Sequence, residues 1–170
     1  YARHYQTGEP MPEEVIARIR ASLTFNEGFR TVEYLSGALY DMQIHVTDPA
    51  GLDPRRFEQD LLARLGMPRE IVLRHRPTQF LHVYSSDGYS AGYYSYLWAD
   101  TLSADAWEAF VEAGDPFDPG VARRLRAHVL SAGNSVDPAV AYRAFRGRDP
   151  DIGALMRKRG FAAPAGTGGP

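Results

Sequence analysis

The sequence has 170 residues, of which 44% are hydrophobic and 12% aromatic, which is enough for one domain with a substantial apolar core. Its formal net charge of -2 excludes a global attraction to nucleic acid or to anionic lipid. There is no cysteine, which excludes disulfides, cysteine-ligated zinc and a thiol nucleophile.

No apolar run approaches the roughly 18 residues that a membrane span needs. The N-terminus also lacks the basic start and apolar segment of a signal peptide. We therefore expect a cytoplasmic protein with neither a membrane nor a nucleic-acid partner. The chain does not begin with Met, and we expect an engineered piece, a cleavage product or a segment of a longer protein.

The first predicted elements lie between Pro12 and Val46. Apolar residues recur there at helical spacing, at Ile16, Ile19, Leu23, Phe29, Val32, Leu35, Leu39 and Met42. This stripe predicts either a helical hairpin or one kinked helix.

Three further helix starts share one device, an aspartate followed by proline at Asp53, Asp118 and Asp137. The carboxylate accepts hydrogen bonds from free backbone N–H groups, and the fixed φ of proline suits the first helical position. The helix after Asp53 is expected to stop near Gly66, and the helix after Asp118 near Gly133.

The stretch between Arg69 and Asp87 is the least helical. Ile71 to Leu73, followed by the alternating Phe80, His82 and Tyr84, predicts a short β-hairpin-like segment near residues 70–85. Residues 89–113 then predict a helix interrupted near Ser103, and the small, Gly- and Pro-rich residues 162–170 predict a disordered tail. The fold class is therefore mainly α.

The densest chemical signal is FLHVYSSDGYSAGYYSYLW, which begins at Phe80. If its second half is helical, Tyr89, Tyr93 and Tyr96 lie on one face at i, i+4 and i+7. Such phenols could bind a peptide backbone, and one could donate to the oxyanion that forms when water attacks an amide. Aromatic residues at this spacing are also typical of a core, so the pattern alone leaves both interpretations open.

The other polar residues are less informative. No pair of histidines has the i, i+4 spacing with an intervening glutamate that marks a zinc helix. The acids Glu27, Glu33 and Asp41 could act as acid–base groups, but a solvated helix face or a capping role is the favoured interpretation.

Five segments in order carry a resemblance to a known family: HYQTGEPMP from His4, FNEGFRTVEYLSGALYD from Phe25, RHR from Arg74, FLHVYSSDGYSAGYYSYLW from Phe80 and GRDPDIGALMRKRGF from Gly147. Over residues 1–161 the chain resembles the C-terminal third of zinc metallopeptidases of the thimet-oligopeptidase and peptidyl-dipeptidase family, most closely its bacterial oligopeptidase A and peptidyl-dipeptidase Dcp branch. The string from Gly88 to Trp98 is the specific part.

The resemblance implies a mainly helical enzyme that hydrolyses short oligopeptides with one zinc ion. Tyr96 and Tyr89 resemble the tyrosines that bind substrate and stabilise the tetrahedral intermediate. His82, Gly88 and Tyr93 resemble further substrate contacts. The His-Glu-x-x-His motif of the family is not in this sequence. The zinc ligands of the complete enzyme are therefore expected upstream of this chain, or are absent altogether.

Three hypotheses follow. The chain is the C-terminal part of such a peptidase, inactive without the upstream part of the same protein. Alternatively, it is a non-catalytic peptide-binding or interaction domain derived from the family, or a structural fragment with a large exposed apolar surface.

Overall fold

A computed structural model describes residues 2–161, and the predicted disordered tail lies outside the described residues. The prediction of a mainly helical fold is confirmed. The α-helices are α1 (Glu13–Ser22), α2 (Glu27–His45), α3 (Pro54–Arg64), α4 (Leu81–Tyr84), α5 (Ser95–Ala113), α6 (Pro119–Leu125), α7 (Pro138–Arg146) and α8 (Ile152–Lys158). Short 3-10 turns lie at Pro77–Gln79 and Asp87–Tyr89, and a π-helical turn at Arg126–Leu130. Among the described residues, no helix combines the length and apolar character required to cross a bilayer.

The chain divides into two compact units. The central unit comprises Asn26–Leu97, and the terminal unit comprises Tyr1–Phe25 together with Trp98–Pro170. The assignment of residues 1–161 to part of one peptidase domain stays a prediction.

The three Asp–Pro helix starts are confirmed. Asp53 accepts hydrogen bonds from the backbone N–H groups of the next turn at 2.9 and 3.2 Å, and Asp118 and Asp137 cap α6 and α7 in the same way. A fourth cap, Asp151 at the start of α8, was not predicted. Each cap is a contact within three residues along the chain, which explains why local sequence was sufficient to predict it.

The predicted hairpin near residues 70–85 is not confirmed, because the described residues contain no strand in this segment. Residues 77–79 form a 3-10 turn and residues 81–84 form α4. The buried residues are Pro77, Phe80 and Val83, at a period of three. The period-two prediction counted every aromatic residue. Only the residues that pack into the core reflect the period of the backbone, and here that period is three.

The predicted break of α5 near Ser103 is wrong. The helix runs without interruption from Ser95 to Ala113, and Ser103 is exposed to solvent within it. Ser103 therefore lies within a continuous helix and does not cap a new helix start.

The apolar stripe of α2 points away from the core. Phe29, Val32, Leu39 and Met42 are exposed. The buried residues of the helix lie mostly on its other side and are Ser36, Gly37, Ala38, Tyr40, Asp41 and Ile44. The helical period was therefore correct, but the central unit retains an exposed apolar face.

Each unit has its own core. In the central unit, α2, α3 and the 73–83 segment enclose Tyr40, Ile44, Leu61, Leu62, Leu73, Phe80 and Val83. Burying such aromatic and aliphatic side chains stabilises each by about 1.5–3 kcal/mol. This core fixes α4 against α2 and thereby positions the segment that follows α4.

In the terminal unit a fully buried carboxylate, Asp105 of α5, accepts hydrogen bonds from Tyr142, Arg146 and Arg148 at 2.6–3.2 Å. Burial alone would raise the pKa of Asp105, but these donors lower its pKa below the ordinary value of 3.8. The buried charge is thus well compensated, and it links α5 to α7.

Candidate functional site

The aromatic residues singled out in the sequence converge on one histidine. The ring of His82, on α4, lies 4.9 Å from that of Tyr89 and 5.8 Å from those of Tyr93 and Tyr96, measured between centroids. The Tyr93 and Tyr96 rings are 5.4 Å apart. We call His82, Tyr89, Tyr93 and Tyr96 the tyrosine cluster.

The predicted single helical face is wrong, although the three tyrosines do come together. Tyr89 ends a 3-10 turn, Tyr93 lies in a turn and only Tyr96 is helical, in the first turn of α5. Ala91 lies in this non-helical stretch and has a φ of 53°. A left-handed conformation costs an L-residue roughly 1–2 kcal/mol, so tertiary contacts must hold this turn in place.

Two phenols of the cluster are open to solvent. Tyr96 is 53% exposed and Tyr89 is 48% exposed. The Tyr96 hydroxyl lies 3.2 Å from Nε2 of His82, and either atom can be the donor, depending on the tautomer. An accessible hydroxyl oriented by a neighbouring imidazole can hydrogen-bond an incoming carbonyl oxygen.

Tyr93 is the least accessible phenol of the cluster. Burial raises its pKa; the Arg74 guanidinium opposes this, while the Tyr96 hydroxyl and the Glu33 carboxylate add to it. The Tyr93 phenol therefore keeps its proton at neutral pH and remains a neutral hydrogen-bonding group.

Gly88 lies in the exposed 3-10 turn that leads to Tyr89. Its φ is not in the left-handed region, and a Cβ built there would make only an ordinary 3.7 Å contact with the Ser86 hydroxyl. The fold therefore does not require glycine at this position. What glycine provides is a bare backbone beside the tyrosine cluster.

Asp41 is the main residue whose role the sequence did not predict. The sequence favoured a solvated face or a capping role for this acid, and in the structure its side chain is fully buried. Its Oδ1 accepts from the Ala91 N–H at 3.0 Å, and its Oδ2 accepts from the Tyr93 N–H at 2.8 Å. Nδ1 of His45 lies 2.9 Å from Oδ1.

Tyr34 is a second residue of α2 that reaches the same turn. Its hydroxyl donates to the Tyr93 carbonyl and accepts from the Leu97 N–H at 3.2 Å. Its ring stacks on that of Tyr93 with centroids 5.2 Å apart. The spacing of Tyr34, Gly37 and Asp41, at i, i+3 and i+7, is the sequence signal that could have placed them on one face.

Within residues 2–161, no three His, Cys, Asp or Glu side chains are grouped in a way that could hold a metal ion. The donor set for a catalytic zinc requires three protein ligands. The described side chains therefore do not fit a zinc site, and the chemistry available here is hydrogen bonding by phenols, an imidazole and backbone amides.

Comparison with known proteins gives a consistent result. The sequence model of Peptidase family M3 matches residues 1–161. The dipeptidyl carboxypeptidases of Escherichia coli and Salmonella typhimurium are 39% and 38% identical to the chain, with 95% of it covered. Oligopeptidase A of Haemophilus influenzae is 32% identical over 93% of the chain. The chain spans only 23–24% of the length of these relatives.

Proposed function

The chain belongs to Peptidase family M3, and we propose that it supplies substrate-binding and oxyanion-stabilising side chains to a metallopeptidase that hydrolyses short oligopeptides. The observation that carries this proposal is the convergence of Tyr89, Tyr93 and Tyr96 on His82, with Tyr96 half exposed. Relatives named as peptidases support the reaction class.

In this proposal the rings of the tyrosine cluster and the bare backbone at Gly88 bind the substrate. The phenols of Tyr89 and Tyr93 both donate and accept hydrogen bonds, which matches the alternating N–H and C=O groups of an extended peptide. His82 lies at the centre of the rings and contacts the Tyr96 hydroxyl. These hydrogen bonds are made to the peptide backbone, so they suit short peptides of varied sequence.

Tyr96 has the catalytic role in this proposal. Attack of water on an amide carbonyl places negative charge on the carbonyl oxygen, and a donor aimed at that oxygen stabilises the transition state more than the ground state. The Tyr96 O–H is suited to this, because its hydroxyl lies beside Nε2 of His82 and no backbone group of the described residues hydrogen-bonds to it. Tyr89 is the second candidate donor.

M3 peptidases generally depend on zinc, which would polarise the scissile carbonyl and activate the attacking water. Since the described side chains do not form a metal site, we propose that the zinc ligands belong to a part of the peptidase outside this chain.

That other part of the peptidase is the partner that we propose for the exposed apolar stripe of α2. Phe29, Val32, Leu39 and Met42 remain 40–52% exposed, and the chain covers about a quarter of its relatives' length. Exposed apolar surface of this kind is typical of an interface.

The test is reconstitution. The chain is joined to the upstream segment of its parent protein and assayed with zinc on a short peptide that carries a fluorophore and a quencher. We expect hydrolysis that a chelator abolishes, and mass analysis of the products distinguishes dipeptide release from internal cleavage.

Titration of the chain with the same peptide tests the alternative. Binding that persists under chelator, without hydrolysis by the reconstituted protein, would favour a non-catalytic peptide-binding module. Absence of both binding and hydrolysis would contradict either function.

A further inference from the structure

The turn that carries Tyr93 is held from one side of α2 by residues about fifty positions away in sequence. Asp41 accepts the backbone N–H of Tyr93, and Tyr34 donates to its carbonyl. Both backbone polar groups of Tyr93 are thus bonded to side chains of α2. The Tyr93 carbonyl also accepts from the Tyr96 N–H, in the first turn of α5, at 3.4 Å. The Tyr93 N–H is bonded to the Asp41 carboxylate, which here takes the place of a secondary-structure acceptor.

The spacing on α2 explains why the fit is close. Tyr34, Gly37 and Asp41 lie on one face of the helix, and we call these three residues the α2 cradle. At Gly37 an added Cβ would lie 3.7 Å from the Tyr93 ring. This is an ordinary van der Waals distance, so the Tyr93 ring packs directly against this face of α2.

Asp41 has the arrangement expected of a positioning group. Its carboxylate is fully buried, and its oxygens contact the N–H groups of Ala91 and Tyr93 and Nδ1 of His45. A carboxylate can accept from two N–H groups at once because it presents two acceptor oxygens. It bonds the two residues that flank Gly92, at the point where Ala91 adopts its left-handed φ.

We propose that Asp41, with Tyr34 as a second anchor, is a positioning residue for the tyrosine cluster. It holds the 91–93 turn in its strained conformation and thereby sets the position of the Tyr93 ring and the start of α5, which carries Tyr96. Asp41 is fully buried, so it acts only through the turn. The value of this positioning for catalysis rests on the proposed peptidase function.

Asp41→Asn is the sharpest test, because it preserves side-chain volume but replaces one acceptor oxygen with an N–H₂ group. One of the two backbone N–H groups then loses its acceptor. We expect amide hydrogen exchange at Ala91 and Tyr93 to accelerate by about tenfold or more, which corresponds to about 1.4 kcal/mol. We also expect the ring resonances of His82 and Tyr96 to shift.

Asp105→Asn is the matched control, because Asp105 is equally buried and also accepts several hydrogen bonds, but in the terminal unit. It should leave exchange at Ala91 and Tyr93 unchanged. Equal exchange rates at these two amides in wild type and Asp41→Asn would overturn the proposal. So would an acceleration of the same size in the control.

If Asp41→Asn does not fold, Tyr34→Phe replaces it, since it keeps the stacked ring and removes only the hydroxyl. We expect the Tyr93 resonances to shift, because the Tyr93 carbonyl loses the Tyr34 donor and the stacked rings lose that anchor. Unchanged Tyr93 resonances would overturn the role of the cradle. Failure of the reconstituted wild type to cleave peptides would refute the proposed function alone, because the exchange measurements do not depend on activity.

Discussion

Tyr96→Phe removes only the hydroxyl oxygen and therefore distinguishes a catalytic role of Tyr96 from a structural one. In the folded chain the Tyr96 hydroxyl makes a 3.2 Å contact with Nε2 of His82, and the side chain is half exposed. An exposed hydrogen bond contributes about 1 kcal/mol or less to the free energy of unfolding. Tyr96→Phe should therefore fold with nearly unchanged stability.

The effect on the reaction should be much larger. Loss of one donor to a developing oxyanion raises the barrier by about 2.7–4 kcal/mol, a fall of about 10²–10³ in kcat. Because the interaction strengthens only in the transition state, KM should change little. The assay is peptide hydrolysis by the reconstituted M3 peptidase under saturating substrate, together with urea unfolding of each variant.

Tyr94→Phe is the matched control, since Tyr94 is 52% exposed and lies only two residues away. It should retain wild-type kcat. If Tyr96→Phe keeps kcat within about twofold of wild type, Tyr96 does not stabilise the oxyanion. If it instead unfolds the chain, the surface role assigned to this phenol is wrong.

Other substitutions test the remaining assignments. Gly88→Ala should leave the free energy of unfolding unchanged or raise it by up to about 1 kcal/mol, but it should weaken peptide binding. Gly28→Ala, in the open first turn of α2, is the control and should not affect binding. Equal affinities of the two variants in a titration would show that Gly88 is not part of the site. Leu39→Glu, on the exposed stripe, should change stability by no more than about 0.5 kcal/mol but block reconstitution of activity, and a large loss in urea unfolding would mean that the stripe is buried. Because the pKa of Asp105 is lowered on folding, its contribution to stability is present above its ordinary value of 3.8 and is lost as the pH falls through the folded pKa. Urea unfolding between about pH 6 and about pH 2 should therefore depend less steeply on pH in Asp105→Asn, and an identical slope would contradict the assignment.

Local chemistry was predictable wherever a few neighbouring residues decide the outcome. The Asp–Pro starts of α3, α6 and α7 follow from side chains that bond the next turn of their own helix. The family could also be recognised, because the ordered motifs include a long and specific string from Gly88 to Trp98.

Burial was not predictable in the same way. The apolar stripe of α2 has the correct helical period, but it is the opposite side, with Tyr40 and Asp41, that packs into the core. In residues 77–84 an alternation of aromatic residues concealed a buried period of three. Both errors arose because a pattern defines a face of an element without saying which face meets the rest of the protein.

The sequence by itself determined the mainly helical class, the capped helix starts and the membership of Peptidase family M3, since each depends on neighbouring residues or on motif order. Only the tertiary structure decided how Tyr89, Tyr93 and Tyr96 meet at His82. The i, i+4 and i+7 spacing of the tyrosines does not explain this, because α5 begins only at Ser95 and Tyr89 and Tyr93 lie before it. Their meeting depends instead on Asp41, a buried acid fifty residues away from the Ala91 amide that it binds, and no local pattern encodes a contact at that distance.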